Sequence, residues 1–324
     1  MKHTSKIEPL PSRWDDFLKA LLNRLATPSP PSLPSVRCLS AYTLSRMFTE
    51  IQKEQALPTT FPSGVKILNH LKAMGLASRV PIEGISKRVP SKDFYLIGIH
   101  ASHDVDADPL ELLQAYKQEG VICYFSALFY FNLTTQIPTH HHIATILKQK
   151  RRPRSEMTTV TFEQPSSDNS GKREKLGTRA FSYQDVPIYL TKRQENTIPG
   201  IKLRVFNPRT QIRMTTIEQT LLDTFQYPYK CGGPEVIFES WNAHINKINE
   251  SLILEYLKKI DILSLTRRVG AMFDVMAYKP DPDLARFLEG TRRETLNITG
   301  IADIPLFRGT HYLRINQNWR ILIP

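Results

Sequence analysis

One stretch of the chain restricts its fold more than any other. Residues 40–99 read in order "SAYTLSRMFTEIQKE", "QALPTT", "FPSGVKILNHLKAMG", "LASRV", "PIEGISKRVPSKD" and "FYLIGI". The first piece places Leu44, Met47, Phe48 and Ile51 on one side of a helix, with Ser40 as its N-cap. A polar break follows. Pro62 suits the first turn of a second helix capped by Thr60, and at about 100° per residue Ile67, Leu68, Leu71 and Met74 share its apolar face. Gly75 supplies a left-handed stop. Two short strands then flank a basic, turn-rich loop. This order of helix, break, helix, strand, basic loop and strand predicts a winged helix-turn-helix.

The outward face of the second helix holds Lys66, Asn69 and Ala73, flanked by Val65 and His70, and no acidic residue. A recognition helix enters the major groove by its N-terminal half, where bulky or acidic groups would interfere. Lys66 suits a phosphate or a guanine edge, and Asn69 can pair bidentately with adenine. Ser63 and His70 complete the expected reading surface, and Arg79 with Lys87, Arg88 and Lys92 of the wing fall toward the DNA backbone or minor groove. The alternative is a winged module that docks on a protein.

Charge agrees with a polyanionic partner. Of the net +12, residues 1–100 hold 14 basic and 7 acidic side chains, residues 101–145 hold 1 and 5, residues 146–214 hold 15 and 6, and residues 215–324 hold 13 of each. Within the second basic zone, "KQKRRPR" offers Lys148, Lys150, Arg151, Arg152 and Arg154 as further phosphate contacts.

The fold class expected is mixed α/β (α+β), an N-terminal winged helix-turn-helix followed by a larger C-terminal domain, at a length of 324 residues that suits two domains. Residues 1–36 form an amphipathic helix, with apolar positions at 14, 17, 18, 21, 22 and 25, and the stiff connector "PSPPSLPSV"; this helix is expected as an accessory layer. Residues 37–100 are the winged unit and 101–324 the second domain. In that domain Asp108-Pro109 starts a helix, "CYFSALFYFN" is a second, and "HHHIAT" is a strand with His140 and His142 on one face and His141 on the other. A basic antiparallel sheet follows, built from "VPIYLTKR", "IKLRVF" and "TQIRMTT". Helices resume at "TIEQTLLDTFQYP", "GGPEVIFESWNAHI", "NESLILEYLKKI" and "LTRRVGAMFDVMAY", and the tail returns to strand.

Several chemistries find no support. No Walker A loop or G-x-S-x-G elbow occurs, and Asp104, Asp106 and Asp108 lack the glycine and terminal glutamate of a calcium loop. Two histidines on one strand face make an incomplete zinc site, and three dispersed cysteines imply neither disulfides nor a thiolate site. The expectation is a non-enzyme without cofactor or metal. No segment reaches the roughly 20 apolar residues of a membrane span, and the N-terminus lacks a secretory h-region, so a cytoplasmic protein is expected.

Residues 216–241, "TIEQTLLDTFQYPYKCGGPEVIFESW", with "RRVGAMFDVM" at 267–276, resemble the AbiEi-like antitoxins of abortive-infection, type IV toxin–antitoxin systems. Thr216, Glu218, Thr220, Leu221, Leu222, Asp223, Gly232 and Gly233 match the family's central block, and Arg267, Arg268, Val269 and Gly270 its later helix. "YFSALFYFNLT", "HHHIAT" and "RGTHYLRINQNWRILI" fall where the family has a serine-alanine-leucine helix, a strand and a terminal strand with a tryptophan. The resemblance implies a regulator that binds inverted repeats in double-stranded DNA upstream of its own operon, represses it, and antagonises a nucleotidyltransferase-like toxin. It also implies that the double glycine and the Leu-Leu-Asp block are structural, with Asp223 bonded to a backbone turn. Residues 1–36 and the long basic zone at 148–175 depart from the family pattern.

Overall fold

The computed structural model describes residues 10–26, 37–84, 93–98, 106–148, 175–207 and 210–324. They form a mixed α/β structure with three sheets among the described residues. Two compact units are distinguished, Met1–Gly120 with Arg179–Ile188 and Leu203–Arg213, and Val121–Thr178 with Tyr189–Lys202 and Met214–Pro324.

The first unit opens with α1 (Trp14–Ala26), β1 (Cys38–Ser40), α2 (Ala41–Glu54), α3 (Gly64–Ala73), β2 (Ala77–Val80) and β3 (Phe94–Ile97). Ser40 caps α2 as expected, its hydroxyl accepting from the Thr43 amide at 3.1 Å. The three strands are antiparallel in the order β1-β3-β2, with Cys38 opposite Leu96 and Ala77 opposite Ile97. One apolar core joins Trp14, Phe17 and Leu21 of α1 to Leu44, Phe48 and Ile51 of α2, Ile67 and Leu71 of α3, and Tyr95 and Ile97 of β3. The first helix is layered on this unit and shares its core, where Phe17 and Leu21 are fully buried.

Further along, α4 (Pro109–Tyr116) is capped by Asp108, which accepts from the Leu110 amide at 2.8 Å. Glu111 on α4 is fully buried and satisfied by Arg37 at 2.9 Å, Thr210 at 2.6 Å and Asn207 at 3.1 Å. Asp106 accepts from Gln184 at 2.9 Å, so the two described aspartates of the 104–108 run serve as a cap and a loop tie. Asp104 lies outside the described residues.

A six-stranded sheet contains β4 (Val121–Ile122), β5 (His141–Leu147), β6 (Thr178–Tyr183), β7 (Val186–Gln194), β8 (Ile201–Asn207) and β9 (Thr210–Thr215), in the order β6-β7-β5-β4-β9-β8. It is mixed rather than purely antiparallel, because β4 pairs in parallel with β9 at Ile122 and Met214. The helical part of the second unit comprises α5 (Phe125–Tyr130), α6 (Ile217–Gln226), α7 (Pro234–His244), α8 (Glu250–Ile260), α9 (Leu263–Val275) and α10 (Pro282–Asn297). A small sheet of β10 (Ile304–Pro305), β12 (Ile321–Ile323) and β11 (Arg314–Asn316) closes it, with Leu221, Leu222, Phe225, Trp241, Met272, Phe307 and Ile321 in its core. Among the described residues no helix is long and apolar enough to cross a membrane.

Candidate nucleic-acid interface

The surface of interest is the outer face of α3. Gln52 on α2 donates to the Pro62 carbonyl at 2.8 Å, and the Phe61 amide bonds the Pro58 carbonyl at 2.8 Å, fixing the turn between α2 and α3. Phe61 is buried against Trp14 and Phe17, at ring separations of 6.3 and 5.3 Å. That anchoring corrects the expected start of the helix. Phe61 must enter the core and Pro62 must offer its carbonyl to Gln52, so the cap is Ser63 rather than Thr60, and the first helical residue is Gly64. Gly64 also lies against α2, where a Cβ would stand 3.4 Å from Ser45 Oγ. Gly75 ends the segment at φ 71°, the left-handed stop that was expected.

Of the residues expected to read DNA, Ser63, Lys66, Asn69 and Arg79 are exposed. The Ser63 hydroxyl makes no capping bond to α3. His70 is the correction on this face. It is only 7% exposed and packs on the Trp14 indole at 5.4 Å. Standing three residues after Ile67, it shares that residue's inward side, and α1 supplies the aromatic surface that holds it. Met74, expected in the apolar stripe, is exposed instead.

Arg79 is paired with Asp93 at 2.7 Å, an exposed bridge of the kind worth roughly 0–1 kcal/mol. Lys72 lies over the Tyr95 ring at 4.9 Å. Lys148, in the second unit, is exposed. Lys87, Arg88, Lys92, Lys150, Arg151, Arg152 and Arg154 lie outside the described residues. Two exposed residues of this face, Val65 and Lys72, fall outside the site expected from sequence; counting one turn to either side of Asn69 finds both.

The 216–241 segment lies in the second unit. Thr216 caps α6 through the Gln219 amide at 3.2 Å. Asp223 does not bond a backbone turn, as the resemblance implied. Its carboxylate receives Arg193 at 2.8 and 3.0 Å and Gln219 at 2.8 Å, with both ionic partners fully buried. Burial works against the Arg193 charge, but Asp223 beside it more than offsets this and raises the guanidinium above its usual value. Gly232 and Gly233 both have positive φ, 93° and 94°, and a Cβ on Gly232 would come within 2.8 Å of Val236 and 2.9 Å of Phe125. Arg267 donates to the carbonyls of Trp319, Ala302 and Arg320 at 2.9, 3.0 and 2.7 Å, tying α9 to the terminal sheet.

The three histidines act as struts. His140 and His142 face one way, with rings 4.9 Å apart, and bond the carbonyls of Lys230 at 3.3 Å and Leu176 at 2.8 Å. His141 meets Ser126 on the other side at 3.1 Å. Burial lowers all three pKa values, His141 to about 4. Among the described residues no group of three or more His, Cys, Asp or Glu could hold a metal ion. All three cysteines are buried, and burial pushes the thiols of Cys38 and Cys123 well up, away from nucleophilic use.

The sequence matches no protein-family model and no curated protein. Among solved structures, the chain is similar in fold to the RV2827C protein from Mycobacterium tuberculosis, with a TM-score of 0.50 at 11% identity, covering 98% of this chain and 93% of that one. At that identity the likeness concerns the fold alone.

Proposed function

We propose that this chain is a cytoplasmic DNA-binding transcriptional repressor and antitoxin of the AbiEi-like kind. Its first unit serves as a winged helix-turn-helix with α3 in the major groove. The observation that carries the reading is the outer face of α3. Val65, Lys66, Asn69 and Lys72 are all exposed there and the helix contains no carboxylate, within a stretch, residues 1–100, that holds 14 basic and 7 acidic side chains. The helix is held from behind by a core that three helices and a three-stranded sheet share, so its outer side chains are presented on a rigid support. Asn69 reads adenine, Lys66 meets a phosphate or guanine, and Ser63 and Arg79 position the backbone.

In the second unit, Gly232, the Arg193–Asp223 pair and the Arg267 clamp have packing roles, which suits a domain that works by binding rather than by chemistry. Its partner in this reading is a nucleotidyltransferase-like toxin encoded beside it. Selection of single-base variants of the upstream DNA tests the reading. Asn69→Ala should cost roughly 1–3 kcal/mol of discrimination at one position and leave the others unchanged. Equal behaviour of wild type and variant on every sequence would remove α3 from the reading role.

A further inference from the structure

Val65 has no packing explanation. It is the second residue of α3, is 72% exposed, and belongs to neither the buried nor the partly buried members of the unit's apolar core. A β-branched side chain is a poorer helix former than the Lys, Glu or Ala that ordinarily fill exposed helical positions. On a 3.6-residue helix it stands one turn before Asn69 and two turns before Lys72, and all three are exposed. One apolar group in the first turn of the helix, the end that would enter the groove, therefore shares a row with an amide at its middle and an ammonium in its last turn.

The occupant that fits this row is double-stranded DNA. Lys66 and Lys72 flank the apolar group without any carboxylate on the helix, and residues 1–100 carry 14 basic against 7 acidic side chains. A protein surface rich in apolar contacts would be poorly served by one valine among cations. In the major groove the apolar feature on offer is the thymine C5-methyl. Resting on the DNA-binding reading above, we propose that Val65 is a specificity-determining residue that packs on a thymine methyl. The thymine lies within about two base pairs of the adenine that Asn69 reads, given a rise of about 6 Å between the two helix positions.

The full chain first selects duplexes from a random-sequence pool. Each thymine of the selected duplex is then replaced in turn by deoxyuridine, which deletes the 5-methyl and nothing else. One replacement should weaken wild-type binding about threefold to fivefold, the size of one buried methyl. Val65→Ala should bind the parent duplex with the same reduced affinity and show no further loss at that replacement. Alanine is the better helix former, and the deoxyuridine arm needs no altered protein, so misfolding cannot imitate the result. The inference falls if no thymine replacement matters, or if Val65→Ala keeps the full sensitivity. Duplex binding persists in both of those outcomes and the DNA-binding reading stands; failure to select any duplex overturns both.

Discussion

Replacing Asp223 with asparagine should uncover how much the second unit depends on one buried ion pair. Arg193 and Asp223 are each fully buried and joined by two hydrogen bonds of 2.8 and 3.0 Å. The guanidinium also lies over the Tyr124 and Tyr227 rings at 5.6 and 5.1 Å and donates to the Thr197 carbonyl at 2.7 Å, so it cannot swing out to water without abandoning those contacts. The substituted asparagine would keep one acceptor oxygen but set an amide N–H₂ against guanidinium donors and leave the Arg193 charge uncompensated. Removing one partner of such a pair costs about 3–5 kcal/mol, a large share of the roughly 5–15 kcal/mol that holds a domain folded. Denaturant unfolding followed by Trp241 and Trp319 emission, in a Trp14→Phe background, would isolate the second unit. Converting both residues to apolar ones, Arg193→Met with Asp223→Leu, should recover most of the loss, with a coupling of at least about 2 kcal/mol. A loss below about 0.5 kcal/mol for Asp223→Asn would refute the argument, since the charge would then have found solvent.

Other outcomes follow from local geometry. Gly270→Ala should destabilise by about 1–3 kcal/mol, because its Cβ would lie 2.3 Å from the Trp319 ring, and unchanged Trp319 emission and stability would contradict that packing. Ser40→Ala should cost about 1 kcal/mol through its lost cap, whereas Ser63→Ala should cost almost nothing in thermal unfolding, since Ser63 makes no capping bond. The histidines set a pH dependence. Unfolded imidazoles take up protons near pH 6.5 while His141 stays neutral in the fold down to about 4. Stability is thus full above pH 6.5 and falls as pH drops toward 4, by up to about 1.4 kcal/mol per pH unit for this residue. Urea midpoints at pH 5 and 7.5 should differ, and His141→Gln should flatten the slope.

Much of the fold is legible where short-range rules decide. Ser40, Asp108 and Gly75 punctuate the helices as their side chains or their lack of one require, and the helical period places Ile67 and Leu71 inside, where the structure has them. Misreadings arise where a distant segment supplies the partner. Nothing local to "TTFPSG" reveals that Gln52 takes the Pro62 carbonyl, and nothing local to His70 reveals Trp14. Arg193 and Asp223 stand 30 residues apart, so their pairing cannot be read from spacing. The helix α10 escapes the sequence reading although Asp281-Pro282 marks its start and Leu284 and Leu288 its buried face; its run of charged residues masks a sparse apolar stripe. On the outer face of α3, the exposure of Lys66 and Asn69 follows from periodicity alone.

The decisive measurement is an anisotropy titration of a labelled duplex from upstream of the chain's own gene, repeated at increasing salt. Tight binding at low salt is expected, with log K falling linearly against log salt, and Lys66→Ala reducing the slope by about 1 as one phosphate contact is lost. No binding at the lowest salt, or an unchanged affinity and slope when Lys66 and Asn69 are both alanine, would contradict the assignment of α3 as the DNA-reading helix.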